Sequence, residues 1–153
     1  MPAQTRPSET ATGQDLVVAL LGVARRLKAR LPQGHLDPAM MFVLHQVQAN
    51  GSLRVSELAN CVGLDASTAS RHVRHLEDGG YLARTSDPGD RRASRVRVTP
   101  RGRAALARAM RARAVVVDRA IADWPDDDRA TLATLMTRLA ESLDRLHTDP
   151  ETR

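Results

Sequence analysis

The chain has 153 residues, enough for one domain with a real hydrophobic core. Aromatic residues are only 2% of it, so the core must be built from Leu, Val, Ala and Met, which disfavours β-sandwiches and barrels and points to helices. The formal charge is +5, almost all of it arginine because Lys28 is the only lysine; guanidinium forks suit phosphates and guanine edges, but a basic balance alone does not single out nucleic acid.

Residues 1–13 are polar and rich in Thr, Ser and Pro, and are expected to form a disordered tail. The longest apolar run, Leu16 to Ala24, is too short to span a bilayer. Arg25 and Arg26 follow that run, whereas a signal peptide carries its basic residues in front, so a cytoplasmic protein without membrane contact is expected. Leu16, Leu20, Ala24, Leu27 and Leu31 recur at spacings of three and four, one face of a helix that Pro32 and Gly34 stop. Met40, Val43, Leu44 and Val47 mark a second helix, opened by Asp37 as cap and Pro38 as first residue and ended by Asn50-Gly51.

The pattern then shortens. Val55 to Cys61 reads as a short helix, and Val62-Gly63-Leu64 as a tight turn in which Gly63 is free to take positive φ. Asp65 caps a further helix that runs to Asp78 and ends at Gly79. Two short helices joined by such a turn are a helix-turn-helix signature. On the second helix Ala69, Val73 and Leu76 share one side. Ser67, Arg71 and Arg74 point away from it, flanked by Thr68, Ser70, His72 and His75, with no carboxylate before Glu77. A merely solvated face mixes charge signs. Hydroxyls, imidazoles and arginines together are what a helix in the major groove needs: Arg71 or Arg74 for guanine, Ser67 and Thr68 for bases or phosphates.

Tyr81 to Arg84 reads as a strand, and Asp87-Pro88-Gly89-Asp90 as a turn of type II. Ser94-Arg95-Val96-Arg97-Val98 alternates, with valines expected inward and arginines outward. Such a two-stranded hairpin must lean on the helices. Its tip carries Arg91 and Arg92, suited to a narrow minor groove; one is expected to pair with Asp90 while the other faces DNA, and spacing does not say which. Thr99-Pro100 opens a long helix with Leu106, Met110, Ala114, Val117 and Ile121 on its face. Pro125 and Asp126 to Asp128 open the last, which carries Leu132, Leu135, Met136, Leu139, Leu143 and Leu146. One small domain does not readily cover the stripes of three terminal helices, so a twofold homodimer is expected.

Val55-Ser56-Glu57-Leu58-Ala59, Gly63-Leu64-Asp65, Ser67 to Val73, Leu76-Glu77 and Gly80-Tyr81-Leu82 resemble the winged helix-turn-helix of the MarR family of transcriptional regulators. Asp87 to Arg92, followed by Val96 to Thr99 and Gly102, is similar to that family's wing. The resemblance spans about residues 16–146. It implies a mainly α fold with a small β-wing: a winged helix-turn-helix over residues 36–103, flanked by dimerisation helices at 14–35 and 104–148. It also implies a palindromic duplex, Arg92 in the minor groove with Asp90 supporting the wing, and repression relieved by a small-molecule effector. The effector pocket would include His35, Met40, Met41 and His45. Many relatives carry Thr or Ser where this chain has Arg54, which removes a capping hydroxyl and offers a phosphate contact instead.

Cys61 is alone, so an intrachain disulfide is excluded and a reducing compartment fits; it is expected to be a partly buried small residue and not a redox sensor. His35, His45, His72, His75 and His147 lack metal-ligand spacing, and no nucleophile–base pair or phosphate loop stands out. No metal, no cofactor and no enzyme activity are therefore expected. The alternatives are a ligand-independent activator or architectural DNA binder, and a protein-interaction module. A module of that last kind should present apolar anchors where this chain has Ser67, Thr68, Arg71 and Arg74.

Overall fold

The computed structural model describes residues 11–31, 36–87, 89–90 and 93–148, the side chains of 147 and 148 excepted. The elements in order are α1 (Gly13–Ala29), α2 (Pro38–Ala49), β1 (Leu53–Arg54), α3 (Val55–Val62), α4 (Ala66–Asp78), β2 (Leu82–Ser86), β3 (Ser94–Val98), α5 (Pro100–Ala120) and α6 (Asp126–Thr148). This is a mainly α fold with a small wing.

Most helix ends follow local chemistry. Asp37 caps α2 by accepting the Ala39 N–H, and Thr99 caps α5 by accepting that of Gly102. Gly63 ends α3 at φ 64°, the left-handed conformation that glycine takes without steric cost. The start of α1 corrects the tail expected over residues 1–13. Thr12 and Asp15 form a reciprocal capping box, so the helix begins at Gly13 and its cap lies inside the polar stretch.

The wing is also more than a hairpin. β3 pairs antiparallel with β2, Ser86 opposite Ser94, and on its other edge with β1, where Leu53 faces Val96. The third strand supplies the support that a lone hairpin lacks. Leu53, Leu82, Val96 and Val98 point from this sheet into one core with Val43, Leu44, Val47, Leu58, Val73, Leu76 and Leu106. Burying a Leu or Val of this kind contributes roughly 1.5–3 kcal/mol. The recognition segment and the wing therefore share one apolar body.

α5 meets that body through Gly102, Ala105, Leu106 and Ala109, a face turned from the one expected from Leu106, Met110, Ala114 and Val117. Met110 and Val117 are exposed. Small residues allow a close approach here: a Cβ on Gly102 would lie 2.2 Å from the Tyr81 carbonyl oxygen. Leu16, Leu20, Leu132, Leu135, Met136, Leu143 and Leu146, on α1 and α6, are exposed in the single chain.

Candidate nucleic-acid interface

Helix α4 buries Ala69, Val73 and Leu76 against the core and turns Ser67, Ser70, Arg71 and Arg74 outward. These four line one open groove along the helix. Thr68 and His72 are half-buried on its flank, and His75 is exposed. At the N-terminal end the Asp65 carboxylate accepts the Thr68 N–H at 2.9 Å and the Ser67 hydroxyl. The Ser67 bond first, then those from Thr68, hold its pKa well below the usual carboxylate range. Arg71 donates to the Thr68 hydroxyl at 3.2 Å, which leaves most of its five N–H donors uncommitted. At the other end Glu77 is half-buried and bound to Arg84 at 2.8 Å, so its charge is occupied beside the groove.

The wing is tied down by a polar cluster that sequence reading missed. Asp87, at the end of β2, is 5% exposed. Its Oδ2 accepts Arg54 Nε at 2.7 Å and Arg95 Nη1 at 3.3 Å, and its Oδ1 accepts the Gly89 N–H at 2.8 Å. Arg54 and then the Gly89 amide hold the carboxylate well below its ordinary range, against the opposing effect of burial. Arg95 also donates to Ser52 and Glu57. One expectation is corrected here. Arg95 does not face outward: it reaches from β3 to Glu57 on α3 and to Ser52 just before β1, whereas Arg97 is exposed. Arg54 directs its Nε to Asp87, and with no side-chain acceptor at the cap of α3 only the other half of a capping box is made, Glu57 accepting the Arg54 N–H at 2.7 Å. Glu57 three residues after the cap was the one local sign of this arrangement. Asp90 closes the tip through its backbone, donating to the Asp87 carbonyl and accepting from Ala93. Arg91 and Arg92 lie outside the described residues, as does Pro88, on which the turn type depends.

The MarR family's sequence profile matches residues 36–93, which span α2 to the wing. YxaD of Bacillus subtilis strain 168, described as an HTH-type transcriptional regulator, is 30% identical over 106 residues, 69% of this chain and 74% of its own. The chain belongs to the MarR family of transcriptional regulators. A crystal structure of MarR superposes with a TM-score of 0.76 at 25% identity, over 94% of this chain and 99% of that one. BpsR of Bordetella bronchiseptica, described as regulated in DNA binding by 6-hydroxynicotinic acid, shares the fold with a TM-score of 0.69 at 21% identity, over 90% of this chain and 98% of that one. As a MarR-family regulator the protein is a DNA-binding winged-helix transcription factor and not an enzyme.

Of the residues assigned by resemblance to an effector pocket in this MarR-family chain, Met40, Met41 and His45 lie on α2. Met41 is buried in the core, Met40 packs on its edge, and His45 is exposed on α2. His35 lies outside the described residues. Cys61 is exposed at the end of α3, which corrects the partly buried position expected of it. Among the described residues no three His, Cys, Asp or Glu side chains gather as metal ligands, and no helix is long and apolar enough to cross a membrane.

Proposed function

We propose that the protein is a homodimeric repressor. Two copies of α4 enter successive major grooves of a palindromic operator, and a small-molecule effector releases them. The observation that carries this reading is the outward row Ser67, Ser70, Arg71 and Arg74, free of carboxylates, on the same rigid body as an anchored basic wing. Thr68 and His72 stand at the margin of that row, placed for phosphate or sugar. The wing tip would put Arg92 into the minor groove, with Arg91 and Asp90 at its rim.

The apolar faces of α1, α5 and α6 support dimerisation through residues 14–35 and 104–148, because covering them with a second copy removes large side chains from water. Residues 36–103 would then form the DNA-reading lobe. Two lobes must present their recognition helices about 34 Å apart. An effector seated between the lobes and the dimer helices, near His35, Met40, Met41 and His45, would favour another spacing and lower DNA affinity by its differential binding energy. Access to the chromosome, and a lone thiol, suit the cytoplasm.

The test is selection of bound duplexes from a random pool, repeated across salt concentrations. A palindrome with half-site centres about one helical turn apart, and affinity falling steeply with salt, is expected. No enriched duplex and a flat salt response would favour a protein partner. A reporter driven from the selected operator should be silenced by the protein; raised expression would favour the activator reading.

A further inference from the structure

The hydroxyl at the leading end of α4 has a fixed hydrogen-bonding polarity. Ser67 donates its only proton to Asp65, a carboxylate that can only accept. Asp65 is in turn fixed by the Thr68 N–H as cap of the helix. Because these same bonds keep it ionised far into acid, it does not become a donor at any pH where duplex DNA persists. Ser67 Oγ therefore keeps only lone pairs for an incoming base. The neighbouring Thr68 is half-buried, and its hydroxyl already accepts from Arg71 at 3.2 Å. Arg71 and Arg74 have the opposite polarity and only donate.

In the major groove, adenine N6 and cytosine N4 are amino donors, whereas guanine O6 and thymine O4 are keto acceptors. We propose that Ser67 is a specificity-determining residue that selects an amino base, A or C, over a keto base, G or T, on the strand it faces in each half-site. The proposal rests on the DNA-binding reading above. One helical turn separates Ser67 from Arg71, about 6 Å of rise. At 3.4 Å per base pair the amino position lies roughly two base pairs from the guanine that Arg71 would fork. Seating a keto base would either leave two acceptors facing each other or pull the hydroxyl from Asp65.

Duplex selection with the full chain and two variants tests this. Ser67→Ala removes the acceptor from an exposed position, and one symmetric pair of operator columns, rich in A or C in the parent selection, should flatten while the guanine columns persist. The preference at stake is about 3–10-fold, one neutral hydrogen bond. Asp65→Gly keeps a tolerated cap but frees the Ser67 proton, so the same columns should widen to admit G and T. The proposal is overturned if Ser67→Ala alters no column, if the column it alters favoured keto bases, or if Asp65→Gly leaves the amino preference intact. Failure of the parent protein to enrich any duplex would instead remove the DNA-binding reading, and this proposal with it.

Discussion

Gly102→Ala adds a single methyl group and should uncouple α5 from the base of the wing. The new Cβ would stand 2.2 Å from the Tyr81 carbonyl oxygen, 3.0 Å from its carbonyl carbon and 2.8 Å from Val98 Cγ1. Backbone atoms at that distance cannot rotate aside, so the first turn of α5 must retreat by about 1 Å, a shift comparable to the strain of overpacked cores. Two hydrogen bonds cross the junction, Thr99 N–H to the Tyr81 carbonyl at 3.0 Å and Thr99 Oγ1 to the Gly80 carbonyl at 2.7 Å, and a third beside them, Gly102 N–H to Thr99 Oγ1 at 3.0 Å, caps α5. Losing part of this set at about 1 kcal/mol per bond, with about 1–3 kcal/mol of overpacking, outweighs the helix-propensity gain of about 1 kcal/mol. The net expectation is a loss of about 2–3 kcal/mol, a large share of the stability of a domain of this size. Urea unfolding at fixed protomer concentration measures it, because folding and dimerisation are linked in the proposed assembly. Gly13→Ala is the control: nothing lies within 4 Å of its Cβ position, so it should be neutral or slightly stabilising. Equal, small effects of the two substitutions would refute the close-approach reasoning.

Arg71→Ala should cost roughly 1–3 kcal/mol in operator binding and relax preference at one position per half-site, read by competition with single-base operator variants. Asp87→Asn should weaken acid resistance. The folded pKa of Asp87 lies below the ordinary carboxylate range, so its stabilisation is present above about pH 4 and is lost as pH falls toward the folded value. The parent should therefore lose thermal stability on acidification more steeply than the variant, in melting curves collected from neutral to acid pH. Parallel curves would show that the bonds from Arg54 and Arg95 carry no such linkage. Leu135→Asp, on the exposed face of α6, should shift the protein toward monomer in sedimentation equilibrium and weaken operator binding at low concentration, with the DNA-reading lobe still folded. An unchanged dimer would place the interface elsewhere.

The features legible in the sequence are those decided within about one helical turn. Caps at Asp37, Asp65 and Thr99, the left-handed Gly63, and the apolar side Ala69, Val73 and Leu76 all follow from neighbours two to four residues away, where backbone geometry fixes which groups meet. The outward row on α4 is the complement of that apolar side, so it was legible too. What tertiary structure alone decided involves partners distant along the chain. β1 is two residues long and exists because β3, some forty residues later, offers it an edge. Strict alternation put Arg95 with Arg97 on an outer face, but Ser52, Glu57 and Asp87 converge where it stands, and a guanidinium that can pair with the buried Asp87 carboxylate turns inward. The face of α5 that meets the core was likewise set by how closely Gly102 can approach Tyr81, and not by the position of its largest apolar side chains. Periodicity tells which side of a helix avoids water; only the assembled fold tells what covers that side.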